Sequence, residues 1–227
     1  MIDFKLAKHI SDFRPQANKE VEQVLMTEES LRLQGMLLQQ MVPSEASVAS
    51  LGDDDHVSVL LGATNGNSIT VFENDDRIIE SLQQAASAYA LRSHTVVKFD
   101  LANVLPEGYE AKFDVCLSNP PYSSKNKGFG IKVWLSRSVQ LLRSNGLGLL
   151  VVPIQDDLRW SLDNMLRIQS YLSELGCAIV RIDKDVHAYY DANDEALMSS
   201  NIWYRAVKRP ETACMIGNVT DTESLYR

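Results

Sequence analysis

The sequence predicts an α/β fold in which a twisted, mostly parallel sheet carries helices on both faces. Strand-like and helix-like segments alternate along most of the 227 residues at the spacing of βαβ units. Four successive predicted strands end in Gly-Asp, Glu, Asp and Asn-Pro-Pro-Tyr, in that order. Because the carboxyl ends of parallel strands lie at one edge of a sheet, we expect these four strand ends to form a ligand-binding edge.

The first half of the chain supplies a helix and then three strands. A helix is predicted over 27–41, because Thr27 is a good N-cap and leucines follow at helical spacing. The residues before Lys19 show no such pattern, and we expect an arm without regular structure there. β-Branched and apolar runs then predict strands over 47–51, 68–72 and 95–99, with helices after the acidic triplet at 53–55 and over 76–91.

The second half of the chain continues the alternation and completes the sheet. The run at 147–152 is apolar throughout, apart from its glycine, which is typical of a strand buried on both faces. Further strands are predicted over 113–117, 177–182 and 201–207, and helices over 131–142 and 158–175.

Composition and charge restrict the classes of protein that fit. With 45% hydrophobic and 23% charged residues, the chain has an ordinary globular composition. No apolar run reaches the length of a membrane span and the N-terminus is not a signal peptide, so we expect no membrane association and a cytoplasmic location. The three cysteines and four histidines lack ligand spacing, which predicts neither a disulfide framework nor a metal site. A net charge of −8 disfavours binding to nucleic acid and suits a cationic partner.

Asn-Pro-Pro-Tyr at 119–122 is the motif with the clearest chemical use. The two prolines have fixed φ angles and no backbone N–H, so the strand must end there in a stiff turn. Asn119 offers a side-chain carbonyl, Pro120 a backbone carbonyl and Tyr122 a flat ring. Together they can hold an amine with its lone pair directed at an electrophile. We therefore interpret Asn119, Pro120 and Tyr122 as a site for a small cationic amine that reacts at nitrogen.

Two acids that end neighbouring strands predict an adenosine pocket. Glu73 follows Gly52 by 21 residues, close to the spacing at which such a fold places an acid on ribose hydroxyls. Asp100, at the end of the third strand, is placed to accept a hydrogen bond from an adenine amino group. Neither a Gly-x-Gly-x-x-Gly turn nor a P-loop is present, which argues against NAD and against nucleotide hydrolysis. An adenosine pocket beside an amine-holding turn points to a sulfonium donor of the S-adenosylmethionine kind.

Two motifs in the sequence resemble those of known families. Asn-Pro-Pro-Tyr resembles the catalytic motif of class I amino-methyltransferases. Leu-Gly-Asp-Asp-Asp at 51–55 is similar to the Gly-Asp-Asp-Asp motif of the branched-chain polyamine synthases, also called bis-aminopropyl spermidine synthases. Glu-Asn-Asp at 73–75 and Asp-Leu at 100–101 fit that family as well, and the resemblance spans roughly 23–152. It implies a Rossmann-like class I methyltransferase fold as the catalytic domain over 44–210, an N-terminal arm and helix over 1–43, and a C-terminal tail over 211–227.

The resemblance also implies an activity and a set of site residues. The family transfers aminopropyl groups from decarboxylated S-adenosylmethionine to an internal amine of spermidine. In this sequence Asp53, Asp54 and Asp55 would contact the donor and acceptor amines, with one of them as base. The turn at 119–122 would lie at the reacting nitrogen. The residues that would bind the donor are Gly52, Glu73, Asn74, Asp100 and Leu101.

Two departures from the family pattern and two alternative functions remain. The family usually has an N-terminal winged-helix domain, and this chain begins almost at the catalytic domain. Asn119 stands where the family often has Asp, which leaves the acceptor amine undefined. The first alternative is an S-adenosylmethionine-dependent N-methyltransferase that acts on a base, a protein or a small molecule. The second is a catalytically silent binding module, and a homodimer is an option for any of the three.

Overall fold

The computed structural model describes residues 2–18, 23–121, 128–190, 197–209, 215–221 and 225. The helices are α1 (Phe4–Ser11), α2 (Glu28–Met41), α3 (Val57–Asn65), α4 (Asp76–Ala88), α5 (Phe129–Leu141) and α6 (Arg159–Glu174). The strands are β1 (Ser47–Leu51), β2 (Ser68–Glu73), β3 (His94–Lys98), β4 (Phe113–Ser118), β5 (Leu142–Val152), β6 (Cys177–His187) and β7 (Ser199–Ala206). Within the residues described, no helix combines the length and apolar character required to cross a membrane.

The strands form one seven-stranded sheet in the order β3-β2-β1-β4-β5-β7-β6. The pairs among the first five are parallel, whereas β7 is antiparallel to both β5 and β6. The mostly parallel α/β fold predicted from the sequence is therefore confirmed. The strand order reverses at β1, which lies between β2 and β4, and such a switch point opens a crevice for ligands in a doubly wound sheet. The loops after these three strands surround that crevice.

Helices cover both faces of the sheet, and alternate strand residues divide between two cores. In β4, Val115 and Leu117 pack with α1 to α4 on one side, whereas Cys116 packs with α5 and α6 on the other. Cys116 and Cys177 are buried, and burial raises the pKa of each to about 12.

The N-terminal segment differs from the prediction of an arm without regular structure, because helix α1 lies within it. Asp3 caps this helix by accepting a hydrogen bond from Leu6 N at 2.8 Å. Ala7 and Ile10 are fully buried in the core that α2 and α3 share. A helix of eight residues has too few turns for its apolar period to be recognised, and helices this short depend on tertiary packing.

A buried arginine holds residues beyond β7 against helix α5. Arg137 of α5 is fully buried and donates hydrogen bonds to three backbone carbonyls, those of Leu101 (3.2 Å), Ile216 (2.5 Å) and Gly217 (2.8 Å). Val219 N also donates to the carbonyl oxygen of Ala102 at 2.8 Å. The loop after β3 is therefore fixed both to α5 and to residues 216–219.

Gly148 in β5 is required by a close contact with an aromatic ring. It pairs across the sheet with Tyr204 of β7, whose side chain is fully buried. A Cβ atom at Gly148 would lie 2.1 Å from Tyr204 Cζ, so a side chain cannot fit beside the ring. The Tyr204 hydroxyl lies 2.6 Å from Ser138 Oγ of α5, and the ring cannot move without losing this hydrogen bond.

We predict that Gly148→Ala lowers the free energy of unfolding by about 1–3 kcal/mol, the usual range for overpacking a core. The matched control is Gly217→Ala, since a Cβ atom at Gly217 would meet no atom within 4 Å. Urea unfolding followed by far-UV circular dichroism measures both variants. Equal stabilities would show that β7 adjusts freely, which would contradict the packing argument.

Candidate active site

A cavity of about 1170 Å³ opens at the carboxyl ends of β1, β2 and β4, where the sequence predicts the ligand-binding edge. Nine of the predicted site residues line it, namely Gly52, Asp53, Asp54, Asp55, Glu73, Asn74, Leu101, Asn119 and Pro120. Asp100 is not among the lining residues, and Tyr122 lies outside the described residues. The structure thus brings most of the predicted residues into one cavity, while their roles remain predictions.

The turn after β1 directs Asp53 at the start of helix α3. Gly52 has a φ of +65°, a left-handed conformation that glycine adopts most readily. The two carboxylate oxygens of Asp53 accept hydrogen bonds from Val57 N at 2.8 Å and Ser58 N at 3.0 Å. Burial nevertheless raises the pKa of Asp53 to about 8. The two side-chain oxygens of Asp53 thus satisfy backbone amides of the first turn of α3.

Asp55 is paired with a buried arginine from the N-terminal segment. Arg14 Nη1 lies 3.2 Å from Asp55 Oδ1, and both side chains are almost fully buried. Met26 N donates to the same oxygen at 2.7 Å, and Asn119 Nδ2 lies 3.4 Å from Asp55 Oδ2. Burial raises the pKa of Asp55 to about 6, and the positive charge of Arg14 limits the rise. Asp55 therefore joins the N-terminal segment to the Asn-Pro-Pro turn.

Asp54 has a different environment from its two neighbours. It lines the cavity, and its carboxylate accepts no hydrogen bond from the described residues. Burial raises the pKa of Asp54 well above the ordinary value, and the nearby carboxylates of Asp55, Glu73 and Asp53 raise it further. No group of three or more His, Cys, Asp and Glu side chains in the described segments is arranged to hold a metal ion. Within the triplet, Asp54 is thus best placed to bind a cation or take a proton.

Glu73, at the end of β2, is oriented by three backbone amides. Its Oε1 accepts hydrogen bonds from Asn74 N at 2.7 Å and Asp75 N at 2.9 Å, and its Oε2 accepts one from Asp53 N at 3.1 Å. Burial raises the pKa of Glu73. Each carboxylate oxygen has two lone pairs, so a fixed Glu73 can still accept hydrogen bonds from the hydroxyl groups of a ligand.

Asp100 makes a local contact at the end of β3. Its Oδ1 accepts a hydrogen bond from Ala102 N at 2.9 Å, which stabilises the turn that follows the strand. The adjacent Phe99 and Leu101 line the cavity, whereas Asp100 does not. A contact between Asp100 and an adenine amino group therefore stays a prediction that the cavity lining does not support.

Several parts of the cavity wall were not indicated by the sequence. On the α5 side of the sheet the wall is aromatic, with Phe72, Phe99 and Trp134. On the other side, Gln34 of α2 and residues 16–18 and 23–26 line the cavity. Arg14, which holds this segment to Asp55, lies 41 residues from its partner. No local sequence pattern can predict a pair of residues so far apart in the chain. Of the two, only Asp55 lies in a motif that the sequence analysis recognised.

One family covers almost the whole chain, since residues 4–223 match the branched-chain polyamine synthase A C-terminal domain. The chain belongs to this family. N(4)-bis(aminopropyl)spermidine synthase of Thermococcus kodakarensis is 27% identical over 186 residues, which are 80% of this chain and 51% of that protein. An uncharacterized protein of Methanocaldococcus jannaschii is 26% identical over 215 residues, which are 94% of this chain and 51% of that protein. The chain therefore spans about half the length of these two curated relatives.

Solved structures share the fold of this branched-chain polyamine synthase domain. The C9 mutein of the branched-chain polyamine synthase from Thermus thermophilus, in complex with N4-aminopropylspermidine and 5′-methylthioadenosine, aligns with a TM-score of 0.78 at 21% identity. The alignment covers 96% of this chain and 67% of that one. Methyltransferase structures from two Pyrococcus species align with TM-scores of 0.62 and 0.67 at 15% and 14% identity, covering 80% and 90% of this chain and 85% and 98% of theirs. The expected Rossmann-like class I methyltransferase fold is thus confirmed.

The acids of the branched-chain polyamine synthase domain predict how its stability depends on pH. When the pKa of a carboxyl group is higher in the folded than in the unfolded state, its stabilising contribution is lost as the pH rises through the folded pKa. Asp53, with a pKa of about 8, extends this loss above neutrality. Burial lowers the pKa of His56, His94 and His187 from 6.5 to about 4, which has the opposite effect on stability. The stabilising contribution of these histidines rises with pH and is complete once the pH exceeds their pKa in the unfolded state, 6.5.

We therefore expect the melting temperature to fall between about pH 7 and about pH 8.5. Asp54→Asn removes one of the crowded carboxyl groups and should make this fall smaller. Asp76→Asn is the matched control, because Asp76 is exposed and pairs with Lys98, and it should leave the slope unchanged. Differential scanning fluorimetry across this range measures the slopes. A melting temperature that rises over the same range would contradict the prediction.

Proposed function

We propose that this protein transfers an aminopropyl group from decarboxylated S-adenosylmethionine to an amine nitrogen of a polyamine. Its family, and the relative named N(4)-bis(aminopropyl)spermidine synthase, support this class of reaction. The Thermus structure contains N4-aminopropylspermidine and 5′-methylthioadenosine, which are a polyamine and the by-product that an aminopropyl transfer would leave. The observation on which the proposal depends is the acidic lining of the cavity, whose carboxyl groups a bound ammonium group would help to ionise.

Four carboxyl groups line the cavity, those of the three aspartates in the turn and of Glu73. Arg14 is paired with one of them, Asp55. Decarboxylated S-adenosylmethionine carries only an ammonium group at the end of its propyl chain, whereas S-adenosylmethionine carries a carboxylate there as well. Before screening by solvent, like charges about 4 Å apart repel by about 4 kcal/mol at an effective dielectric constant near 20. The acidic turn therefore favours the decarboxylated donor and a cationic acceptor.

We assign the adenosyl group of the donor to the end of β2. Glu73 would accept hydrogen bonds from the ribose hydroxyls, with Asn74 beside it in the cavity wall. Gly52 leaves the backbone open to the ligand because it has no side chain. The apolar wall that would contact the adenine consists of Phe72, Phe99, Leu101 and Trp134.

We assign the acceptor amine to the turn at 119–121. Asn119 Oδ1 and the backbone carbonyl of Pro120 can both accept hydrogen bonds from the N–H groups of an amine. Neither group offers a proton to the nitrogen, so its lone pair stays available for reaction. Tyr122, whose ring is predicted to cover the amine, belongs to the same motif but lies outside the described residues.

The reaction is a displacement at carbon. The acceptor nitrogen forms a bond to the first carbon of the aminopropyl chain while the bond from that carbon to the sulfonium sulfur breaks, and its electron pair passes to sulfur. The products are 5′-methylthioadenosine and the alkylated amine, whose nitrogen releases one proton. We assign that proton to Asp54, which has a raised pKa and faces the cavity. The protein contributes position and charge, which a displacement of this kind needs.

An N-methyltransferase is the second candidate function. The shared methyltransferase fold and the position of Asn119 and Pro120 in the cavity wall favour it. Such an enzyme would bind S-adenosylmethionine, and the carboxylate of that donor would then meet the acidic turn. The relative affinities of the two donors therefore distinguish the two functions.

We predict that the protein binds decarboxylated S-adenosylmethionine at least about tenfold more tightly than S-adenosylmethionine, a difference of about 1.4 kcal/mol. The preference should shrink at high salt, because salt screens the acidic turn. Asp54→Asn should reduce the preference and abolish aminopropyl transfer to spermidine. Isothermal titration calorimetry measures the affinities, and mass spectrometry detects the transferred group.

5′-Methylthioadenosine is the matched control ligand because it lacks the charged chain of both donors. Its affinity should be equal for the wild-type and Asp54→Asn proteins. Tighter binding of S-adenosylmethionine than of the decarboxylated donor, with no response to spermidine, would favour the methyltransferase.

Glu73→Gln should have the complementary effect. Loss of a charged acceptor for the ribose hydroxyls should weaken the binding of 5′-methylthioadenosine by about 1.5–3 kcal/mol. The preference for the decarboxylated donor should persist, since the aspartates remain. Calorimetry with the same ligands tests both statements, and an unchanged affinity for 5′-methylthioadenosine would contradict the assignment of Glu73 to the ribose.

A further inference from the structure

Arg14 ties the N-terminal segment to the acidic turn. Its side chain is 4% exposed and lies 3.2 Å from Asp55 Oδ1. It also donates hydrogen bonds to the backbone carbonyls of Met26 at 2.9 Å and Ser11 at 3.3 Å. Removing one partner of so deeply buried an ion pair would leave an uncompensated charge. Arg14 is not among the residues that line the cavity, so any effect on a ligand must pass through residues that it contacts, and of these Asp55 and Met26 line the cavity.

The two oxygens of Asp55 contact different parts of the chain. Oδ1 accepts hydrogen bonds from Arg14 and from Met26 N. Both residues belong to the N-terminal segment, and of the two only Met26 lines the cavity. Oδ2 faces the side-chain amide of Asn119, whose Nδ2 lies at 3.4 Å. Asp55 therefore connects Arg14 to the turn that is assigned to the acceptor amine.

The protonation state of Asp55 determines which atom of the Asn119 amide faces it. An ionised carboxylate only accepts hydrogen bonds, so it selects the NH2 group of Asn119 and leaves the amide oxygen for the cavity. A protonated Asp55 would donate a hydrogen bond, which would favour the reversed amide. The reversed amide would present its NH2 group to the cavity and could not accept a hydrogen bond from an amine.

We propose that Arg14 is a positioning residue, which keeps Asp55 ionised and thereby holds the Asn119 amide with its oxygen toward the reacting amine. The identity of the amine rests on the proposed function. We call the series of contacts from Arg14 through Asp55 to Asn119 the relay. These contacts exist without a ligand, so the relay can be measured in the ligand-free protein.

The groups around Asp55 have opposing effects on its ionised state, which Arg14 favours by its charge and Met26 N and the Asn119 amide favour by hydrogen bonding. The other carboxyl groups of the cavity are those of Asp53, Asp54 and Glu73. The charge of Asp55 raises the pKa of Asp53 and Asp54, and Asp53, with a pKa of about 8, is still protonated at the pH where Asp55 ionises. His56, the next residue in the chain, is buried, and its lowered pKa of about 4 leaves it neutral. Burial raises the pKa of Asp55, and Arg14 is the nearby cation that opposes this rise. Without the guanidinium, Asp55 would take up a proton at a higher pH than in the wild-type protein.

Nuclear magnetic resonance of the ligand-free protein tests the relay directly. The carboxyl carbon of Asp55 and the side-chain NH2 group of Asn119 should titrate with a common midpoint. Arg14→Gln should move this midpoint to higher pH by at least about one pH unit, the lower end of the effect of a neighbouring opposite charge. The spectrum of Asn119→Ala identifies the amide resonance by its absence. Midpoints that are equal in wild-type and Arg14→Gln proteins would overturn the proposal.

Steady-state kinetics supply a second measurement. In Arg14→Gln the acid limb of the pH profile of kcat/KM for spermidine should move to higher pH. At a pH below the midpoint of this limb, kcat/KM should fall about tenfold for each pH unit by which the midpoint moves. The Kd of 5′-methylthioadenosine should not change. Arg14→Lys retains the positive charge and should retain the wild-type profile. A profile for Arg14→Lys as displaced as that of Arg14→Gln would show that packing, and not charge, is what Arg14 supplies.

Arg77→Gln is the matched control for contacts with the N-terminal segment. Arg77 is exposed and donates hydrogen bonds to the backbone carbonyl of Gln16 and to Gln23 Oε1, but it does not contact Asp55. Its substitution should leave the pH profile unchanged. A displacement equal to that of Arg14→Gln would assign the effect to the segment as a whole and overturn the role of Arg14.

A further variant keeps the test decisive if Arg14→Gln does not fold. The double substitution Arg14→Met with Asp55→Leu replaces the buried pair by apolar side chains, which buried pairs often tolerate. The Asn119 resonance should then no longer titrate, and kcat/KM should stay low at every pH. Wild-type activity in this variant would overturn the proposal. A displaced amide midpoint in Arg14→Gln together with no aminopropyl transfer by the wild-type protein would support the relay and reject the proposed function.

Discussion

The burial of Asp53 and Asp55 in the acidic turn after β1 is the constraint on which the rest of the site depends. A buried carboxylate without partners is unfavourable by several kcal/mol, so the chain must supply compensation close to the turn. For Asp53 the compensation comes from the first amides of α3. For Asp55 it comes from Arg14 and Met26 N, both in a segment far away in sequence. The N-terminal helix and the segment after it are therefore part of the site, because they bring a cation and a backbone donor to the turn.

Three neighbouring residues of one type obtain different properties in this way. Asp53 accepts hydrogen bonds from the first turn of α3, and Asp55 pairs with Arg14 and contacts the Asn119 amide. Asp54 faces the cavity and accepts no hydrogen bond from the described residues. Environments that separate the protonation behaviour of chemically equal groups are a common way to divide roles within an active site. The raised pKa of Asp54 results from desolvation and from the charges beside it, so its protonation depends on the whole cluster.

The sheet by itself does not select a reaction. Methyltransferases and a branched-chain polyamine synthase share this topology with the chain, and one scaffold commonly carries several chemistries. Our proposed choice between the two donors depends on the acidic turn after β1. Glu73 at the end of β2 and Asn119 after β4 lie in the same cavity on either side of that turn, because β1 pairs with both strands.

The sequence by itself determined the alternation of strands and helices, and with it the edge at which the polar strand ends meet. Gly52, the acidic triplet, Glu73 and the Asn-Pro-Pro turn could be placed together because each directly follows a strand, and parallel pairing brings such positions to one edge. Helix α1, the pairing of Arg14 with Asp55 and the aromatic wall with Trp134 were decided only by the tertiary structure. Asp100 shows the same limit, since its carboxylate caps the local turn while the residues on either side reach the cavity. A sequence motif identifies functional groups within a few residues of one another, whereas burial and ion pairing depend on contacts between residues that are far apart in the chain.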